Sequence, residues 1–176
     1  MNVHNITVSA CRGAFDRFVR PVNLVEWLES VRPHMFADDS HDKRQLPAIM
    51  PHGVFDSRKA ESFVQHSGLV QIDIDAKDNR GINMTEVLSE MAQLEFMVCA
   101  GLSASGKGVW GLAAVEDITR TNHTQKAVAL MDYMEQTFEP IRFDRVVSHS
   151  LASIRFASHD SPYINLDVVP FDTLAL

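Results

Sequence analysis

Residues 99–115, with the sequence CAGLSASGKGVWGLAAV, place a short glycine-rich loop between two apolar runs. Gly101, Gly106 and Lys107 have the spacing of a phosphate-binding P-loop. Gly108, however, stands where that motif needs a serine or threonine to bind magnesium. The run after it has no helical period, whereas a P-loop is followed by a helix whose N-terminus faces the phosphates. This stretch therefore predicts a β-hairpin whose turn is the Ser-Ala-Ser-Gly-Lys-Gly segment.

The rest of the chain predicts alternating strands and helices around one core. A chain of 176 residues, 45% of them apolar, can bury a core as a single domain spanning 1–176. Predicted strands lie over 5–10, 68–75, 96–101, 145–148, 153–158 and 166–169, and predicted helices begin near Asn23, at Asn83 or Thr85, and at Thr121 or Asn122. The segment 57–65 predicts a further short helix, and 32–42 predicts an exposed loop. The expected fold class is α+β, an α/β sandwich with a mixed sheet.

Charge and composition exclude several classes of protein. The net charge is −7, from 16 basic and 23 acidic residues, which argues against binding duplex DNA over the whole surface. Any contact with nucleic acid must be local, weak or assisted by a partner. No apolar run approaches the roughly 20 residues that cross a membrane, so we expect no membrane partner. Cys11 and Cys99 have no metal or redox spacing, which together with the lack of a signal-peptide pattern favours the cytoplasm.

Asp73 and Asp75 are the strongest candidates for chemistry. They are separated by one residue on a predicted strand, so their carboxylates point to the same face, about 7 Å apart at Cα. Two like charges on a mostly apolar strand are costly unless a cation lies between them. A pair of Mg²⁺ or Mn²⁺ ions would supply that charge. The alternative is that the strand ends here and both carboxylates face water.

Further candidates are spread along the chain. The hydroxyls of Ser103 and Ser105, the backbone N–H groups of the turn and the Lys107 ammonium suit a triphosphate, although an ordinary glycine turn is the alternative. Asp144 follows a phenylalanine and is a candidate third metal ligand. Arg155 lies in a strand-like segment, where it needs either a carboxylate or a phosphate as its partner. The eight histidines lack zinc-ligand spacing, so we expect them at the surface or at helix ends.

The chain resembles the archaeo-eukaryotic primase superfamily in four segments, which occur in the order KRQLPAIMPHGVF, HSGLVQIDID, SASGKG and FDRVVSHSLASIRFASHD. It is more closely similar to the N-terminal primase-like domain of virulence-associated-E-like (BT4734-like) proteins of phages and mobile elements. The resemblance runs from Lys43 to Asn165. It implies a small α/β unit joined to an RRM-like α+β unit, with the site in the cleft between them. Relatives often continue into a helicase, so the chain is expected to be an isolated domain or the N-terminal part of a primase-helicase.

The resemblance also implies roles for individual residues. The metal ligands would be Asp73, Asp75 and Asp144, with Asp160 as the rival for the third place. The triphosphate of the nucleotide would be held by Ser103, Ser105, Gly106, Lys107, Gly108 and Arg155. Many superfamily members have a histidine just after the turn, where this chain has Trp110. We therefore predict that Trp110 contacts the nucleotide, with packing under the sheet as the alternative.

These observations lead to one expected function and two alternatives. The expected function is a DNA primase-polymerase, which joins nucleoside triphosphates on a single-stranded DNA template with two Mg²⁺ or Mn²⁺ ions and works with a helicase in replication of a phage or mobile element. The first alternative is a non-catalytic module that binds nucleotide or single-stranded DNA and serves a replicative helicase. The second is a metal-dependent nuclease that uses the same carboxylates.

Overall fold

The computed structural model describes residues 1–31 and 42–174, within which the chain forms ten strands and four α-helices. The strands are β1 (Thr7–Cys11), β2 (Arg20–Asn23), β3 (Ala48–Met50), β4 (Gly53–Phe55), β5 (Phe63–His66), β6 (Leu69–Ile74), β7 (Met97–Leu102), β8 (Val109–Ala114), β9 (Arg155–Phe156) and β10 (Tyr163–Ile164). The helices are α1 (Leu24–Ser30), α2 (Met84–Met91), α3 (His123–Thr137) and α4 (Arg145–His149). The α+β class is confirmed.

The strands form two four-stranded sheets and one hairpin. The first sheet has the order β2-β1-β3-β9, the second has the order β10-β7-β8-β6, and β4 pairs with β5. Every ladder between these strands is antiparallel, so the predicted mixed sheet is wrong. The reason lies in the β7–β8 hairpin. It inserts β8 between β6 and β7, which run in the same direction and would otherwise form a parallel pair.

The second sheet is covered on both faces. Alternate residues of β6 and β8, such as Ile72 and Val109, join α2 and α3 in one apolar cluster. The residues between them, such as Trp110 and Leu112, join β1, β3 and α1 in a second cluster. This sheet is therefore the central layer of the molecule, and the first sheet and the two long helices enclose it.

Local sequence signals explain the helix starts. The side chain of Asn23 accepts a hydrogen bond from the Glu26 N–H at 3.1 Å, and Asn83 accepts one from the Thr85 N–H at 3.1 Å. Both are N-caps, which bind an N–H group that the first helical turn leaves unpaired. The predicted starts of α1 and α2 are thus confirmed, and α3 begins one residue after Asn122.

Three predicted elements are wrong. The expected helix over 57–65 is a 3₁₀ turn at Ala60–Ser62 followed by β5, because this edge segment pairs with β4. The expected strand over 145–148 is helix α4, which Asp144 caps by accepting the Val146 N–H at 2.9 Å. The third, a strand over 166–169, is absent from the described chain, where β10 lies a few residues earlier. Most of the predicted loop over 32–42 falls outside the described residues.

No helix in the described ranges combines the length and hydropathy that a membrane span requires.

The prediction that the histidines lie at the surface or at helix ends is wrong for His52, which packs with two other histidines. His52 is fully buried, and its ring lies 4.6 Å from that of His123, which in turn lies 5.2 Å from that of His66. These residues come from the β3–β4 turn, from β5 and from the start of α3. We call them the histidine cluster. It joins the β4–β5 hairpin to the helical side of the molecule. Because its members are far apart in the sequence, residue spacing does not predict it.

The hydrogen bonds of the histidine cluster fix each ring in its neutral form. His123 Nε2 lies 2.9 Å from the carbonyl oxygen of Ser148, so it must donate, and its Nδ1 must accept from His66 Nε2 at 3.0 Å. The other nitrogen of His66 accepts the Gly68 N–H at 3.0 Å. Likewise, His52 Nε2 accepts the Gln71 N–H at 3.0 Å, so its Nδ1 donates to a backbone carbonyl. Protonating any ring turns an acceptor into a donor and breaks a bond.

The histidine cluster makes stability depend on pH. Burial, with the neighbouring His123, lowers the pKa of His66 from 6.5 to about 4, and burial also lowers the pKa values of His52 and His123. The unfolded chain therefore binds more protons than the folded one below pH 6.5. The stabilisation is complete above that pH and is lost as the pH falls towards 4.

We expect the melting temperature to fall by about 3 °C or more between pH 7 and pH 5, as measured by circular dichroism. His66→Gln keeps one donor and one acceptor without a titrating ring, so it should reduce this fall. His4→Gln changes an exposed histidine and is the matched control. An unchanged pH dependence in His66→Gln would contradict this role for the cluster.

Candidate functional site

Three separate segments meet at the end of β6. Ile74, the last residue of β6, pairs with Val109 at the start of β8, so Asp75 lies beside the β7–β8 turn. On the other edge of β6, the N–H of Asp144 donates to the carbonyl oxygen of Asp73 at 2.9 Å. The structure thus brings Asp73, Asp75, Asp144 and the glycine turn to one end of the central sheet.

Asp73 forms a buried ion pair with Arg155. Arg155 Nη1 donates to Asp73 Oδ1 at 2.6 Å, and the exposed fractions of the two side chains are only 8% and 20%. Arg155 belongs to β9 of the first sheet, whereas Asp73 belongs to β6 of the second. Of the two partners that the sequence leaves open for Arg155, the structure shows the carboxylate. Arg155 therefore holds Asp73 in place across the two sheets.

Trp110 lies under the same ion pair. Its ring centroid is 5.2 Å from the guanidinium carbon of Arg155, and its Nε1 donates to Ser158 Oγ at 2.9 Å and to the carbonyl oxygen of Leu102 at 3.1 Å. The residue is 1% exposed. The structure therefore shows the packed alternative for Trp110. Strand alternation does not expose it, because both faces of the central sheet are covered.

Asp75 and Asp144 line one surface cavity of about 360 Å³. Asp75 Oδ2 accepts a hydrogen bond from Lys77 Nζ at 2.6 Å, and Asp144 Oδ1 caps helix α4. Asp160 is exposed and follows His159, whose N–H donates to the carbonyl oxygen of Leu102 at the end of β7. Asp144 is therefore better placed than Asp160 to act together with Asp73 and Asp75.

The three carboxylates interact electrostatically. Burial raises the pKa of Asp73, the Arg155 guanidinium opposes this rise, and the negative charges of Asp75 and Asp144 add to it. The net rise means that the charge of Arg155 does not fully offset the burial of the Asp73 carboxylate.

The donor set fits a hard divalent cation by its chemistry. No group of three or more His, Cys, Asp or Glu side chains within residues 1–31 and 42–174 is arranged to hold a metal ion by itself. Mg²⁺, however, usually binds to one or two carboxylates and completes its coordination with water and substrate phosphates. Asp75 and Asp144, on one cavity, meet this smaller requirement.

The predicted hairpin is confirmed, and its turn is tightly closed. The N–H groups of Ser103, Gly106 and Gly108 are all bonded inside the turn, to Gly108 O at 2.8 Å, Ser103 O at 2.7 Å and Ser103 Oγ at 3.0 Å. Gly106 has a φ of +71°, and a Cβ at Gly108 would lie 2.5 Å from the carbonyl oxygen of Ile74. The turn therefore needs both glycines. The exposed residues of the turn are Ser105 and Lys107.

His159 is a candidate that the sequence interpretation missed. Its ring lies against the turn, 3.2 Å from where a Cβ on Gly106 would be. Its Nδ1 is buried and has no hydrogen-bond partner in the described part of the chain. An unpaired ring nitrogen beside a glycine turn can bond to a ligand seated there. No local sequence signal marks this residue, because it reaches the turn only through the pairing of 159 with Leu102.

Comparison with known families gives one match. The model of the BT4734-like N-terminal domain matches residues 41–157, which is more than half of the chain. The chain belongs to the BT4734-like N-terminal domain family. The matched range of this BT4734-like domain includes Asp73, Asp75, Asp144 and the glycine turn, and it ends before His159. Searches of curated proteins and of solved structures gave no significant match.

The buried ion pair should be visible in unfolding experiments. Asp73→Asn leaves Arg155 buried without a counter-charge, so we expect the free energy of unfolding to fall by about 3–5 kcal/mol. Replacing both partners, as in Asp73→Leu with Arg155→Leu, removes the buried charges and should recover much of this loss. Urea unfolding at pH 7 measures both effects. Wild-type stability in Asp73→Asn would contradict the pair as described.

Proposed function

We propose that this BT4734-like domain is a metal-dependent nucleotidyltransferase that joins nucleoside triphosphates on a single-stranded DNA template, as DNA primase-polymerases do. The observation that supports this most is the meeting of Asp73, Asp75 and Asp144 with a closed glycine turn at one end of the central sheet. Carboxylates suit Mg²⁺ or Mn²⁺, and a glycine turn with a lysine and a serine suits a triphosphate. Family membership agrees with the resemblance from which the proposal came.

Each side chain has a task in this proposal. Asp75 and Asp144 would hold Mg²⁺ or Mn²⁺ together with substrate phosphates, and such ions stabilise charge on transferring phosphoryl groups and activate the attacking hydroxyl. Arg155 acts through Asp73, because it fixes the carboxylate orientation from the neighbouring sheet. Ser105, Lys107 and His159 would contact the triphosphate at the turn.

A second candidate is a non-catalytic module that binds nucleotide or single-stranded DNA. Arg155 supports it, because this cation already compensates much of the Asp73 charge without a metal ion. A primase would process its nucleotides, whereas this module would only bind them. A nuclease built on the same carboxylates would instead degrade the template.

Primed and unprimed single-stranded templates, with labelled nucleotides and Mg²⁺ or Mn²⁺, test the proposal. We expect metal-dependent extension by the wild type and a loss of at least about 100-fold in Asp75→Asn and Asp144→Asn, since each removes charge stabilisation of several kcal/mol. Asn is as good an N-cap as Asp, so Asp144→Asn keeps helix α4. Asp167→Asn changes an exposed carboxylate near the opposite end of the sheet and is the control.

The same assay separates the candidates. Nucleotide binding without extension, under both metals, would reject the enzyme in favour of the binding module. Template shortening that disappears in Asp75→Asn would identify a nuclease. Extension that survives both substitutions would show that these carboxylates are not the metal ligands.

Lys107 should distinguish triphosphates from monophosphates. Lys107→Met removes a charge-assisted phosphate contact worth about 1.5–3 kcal/mol, so nucleoside triphosphate binding should weaken by about 10-fold or more. Monophosphate binding should change little. Lys126→Met on α3, near the opposite end of the sheet, is the control, and isothermal titration calorimetry is the measurement. Equal losses for both ligands would contradict the placement of the triphosphate at the turn.

A further inference from the structure

Arginine and phenylalanine side chains are concentrated between β1 and β2. The segment 12–20 contains three arginines, two phenylalanines and one aspartate, in a chain whose net charge is −7. Arg44, which precedes β3, also contacts this segment, with its guanidinium carbon 5.2 Å from the ring centroid of Phe15. We define the arginine–phenylalanine patch as the set Arg12, Phe15, Arg17, Phe18, Arg20 and Arg44.

The two phenylalanine rings of this patch face solvent. Phe15 is 70% exposed and Phe18 is 82% exposed, although large apolar residues of a folded protein are usually buried. Two depressions, of about 550 and 440 Å³, adjoin them and share Arg12, Asp16 and Phe18 in their walls. The patch therefore offers exposed aromatic faces beside concave surface.

The charge of the patch is positive. Arg12 pairs with Asp16 at 2.9 Å, and Arg44 pairs with Asp42 at 2.8 Å. The side chains of Arg12 and Arg44 are 89% and 59% exposed, so each can also reach a phosphate in solvent. Arg17 and Arg20 add two more exposed cations.

The patch is held in shape by contacts to its backbone. The Ala14 N–H donates to the carbonyl oxygen of Arg44 at 2.6 Å, and Arg58 Nη1 donates to the carbonyl oxygen of Ala14. A Cβ at Gly13 would lie 2.8 Å from the carbonyl oxygen of Arg44, so the two segments touch closely. The exposure of Phe15 and Phe18 therefore belongs to an anchored loop.

We propose that the arginine–phenylalanine patch binds single-stranded nucleic acid. Single strands bind where cations follow the phosphates and aromatic rings stack on the bases, and this patch has both. The bases of a duplex are stacked on one another, so they cannot stack on Phe15 and Phe18. The phosphates of a duplex are also more densely spaced, and the acidic remainder of the protein repels them. Apart from Arg44, the patch lies before the matched family range.

The position of the patch connects it to the candidate site. Pro47 lines the larger depression, and its carbonyl oxygen accepts the Ala157 N–H at 2.9 Å. Two residues further on, His159 lies against Gly106 of the glycine turn. Residues 157–159 therefore connect the turn to the patch and to the strand bound there. Its assignment as the template rests on the proposed function, whereas the binding itself does not.

Fluorescence anisotropy with a labelled oligothymidylate tests the binding, without metal ions or nucleotides. We expect the wild type to bind the single strand and a hairpin duplex much more weakly. Phe15→Ala with Phe18→Ala, and separately Arg17→Gln with Arg20→Gln, should each weaken binding by about 10-fold or more. The arginine variant should also reduce the salt dependence.

The matched control is Tyr163→Ala with Arg80→Gln, which removes an exposed aromatic ring and an exposed cation elsewhere. Circular dichroism and melting temperatures establish that all variants are folded. Unchanged binding in both patch variants, equal losses in the control, or equal affinity for the duplex would overturn the proposal. Binding to anionic lipid vesicles but not to the oligonucleotide would overturn it in favour of a membrane surface.

The two proposals fail separately. Asp75→Asn should keep oligonucleotide binding while it loses extension, and the patch variants should keep nucleoside triphosphate binding. If the wild type extends primers and the patch variants still bind the oligonucleotide normally, only the proposal for the patch is rejected. Patch-dependent binding with no extension by the wild type would reject the enzyme alone.

Discussion

The buried contact between Arg155 and Asp73 is the interaction on which the rest of the structure depends. It takes one charge from each four-stranded sheet, so neither charge is compensated until the two sheets are packed together. A buried pair of this kind contributes little net stability, because desolvation offsets most of the attraction. Its effect is to select one arrangement. Trp110 packs against the guanidinium of Arg155, and Asp144 binds the backbone of Asp73. The same ion pair therefore positions both the core and the candidate site.

Structural features that depend only on neighbouring residues are predictable from the sequence. The N-caps Asn23 and Asn83 and the glycine turn follow from short-range chemistry that tertiary structure did not change. Asp73 is also paired with a cation, as a carboxylate on an apolar strand requires. The choice of cation was not accessible, because Arg155 lies 82 residues further along the chain and reaches Asp73 only through sheet packing.

The errors have related physical causes. Two valines at 146 and 147 favour a strand, but the Asp144 cap and packing against α3 give a helix. Contact of Trp110 with a nucleotide is predicted from strand alternation, which leaves one face of a strand outside the core, but this sheet has two inner faces and Trp110 is packed. His159 and the histidine cluster depend on contacts between distant segments, for which residue spacing contains no information. Local rules therefore located the carboxylates but not what surrounds them.

The histidine cluster also restricts how this chain can change over evolutionary time. Each ring donates at one nitrogen and accepts at the other, and His66 and His123 are linked in a fixed order between the Gly68 N–H and the Ser148 carbonyl. Losing one ring leaves a buried donor and a buried acceptor unpaired, which penalises most single replacements. Substitutions that preserve this direction, or that change neighbouring members together, avoid the penalty. In sequences descended from this one, we therefore expect the residues of the histidine cluster to change together rather than independently.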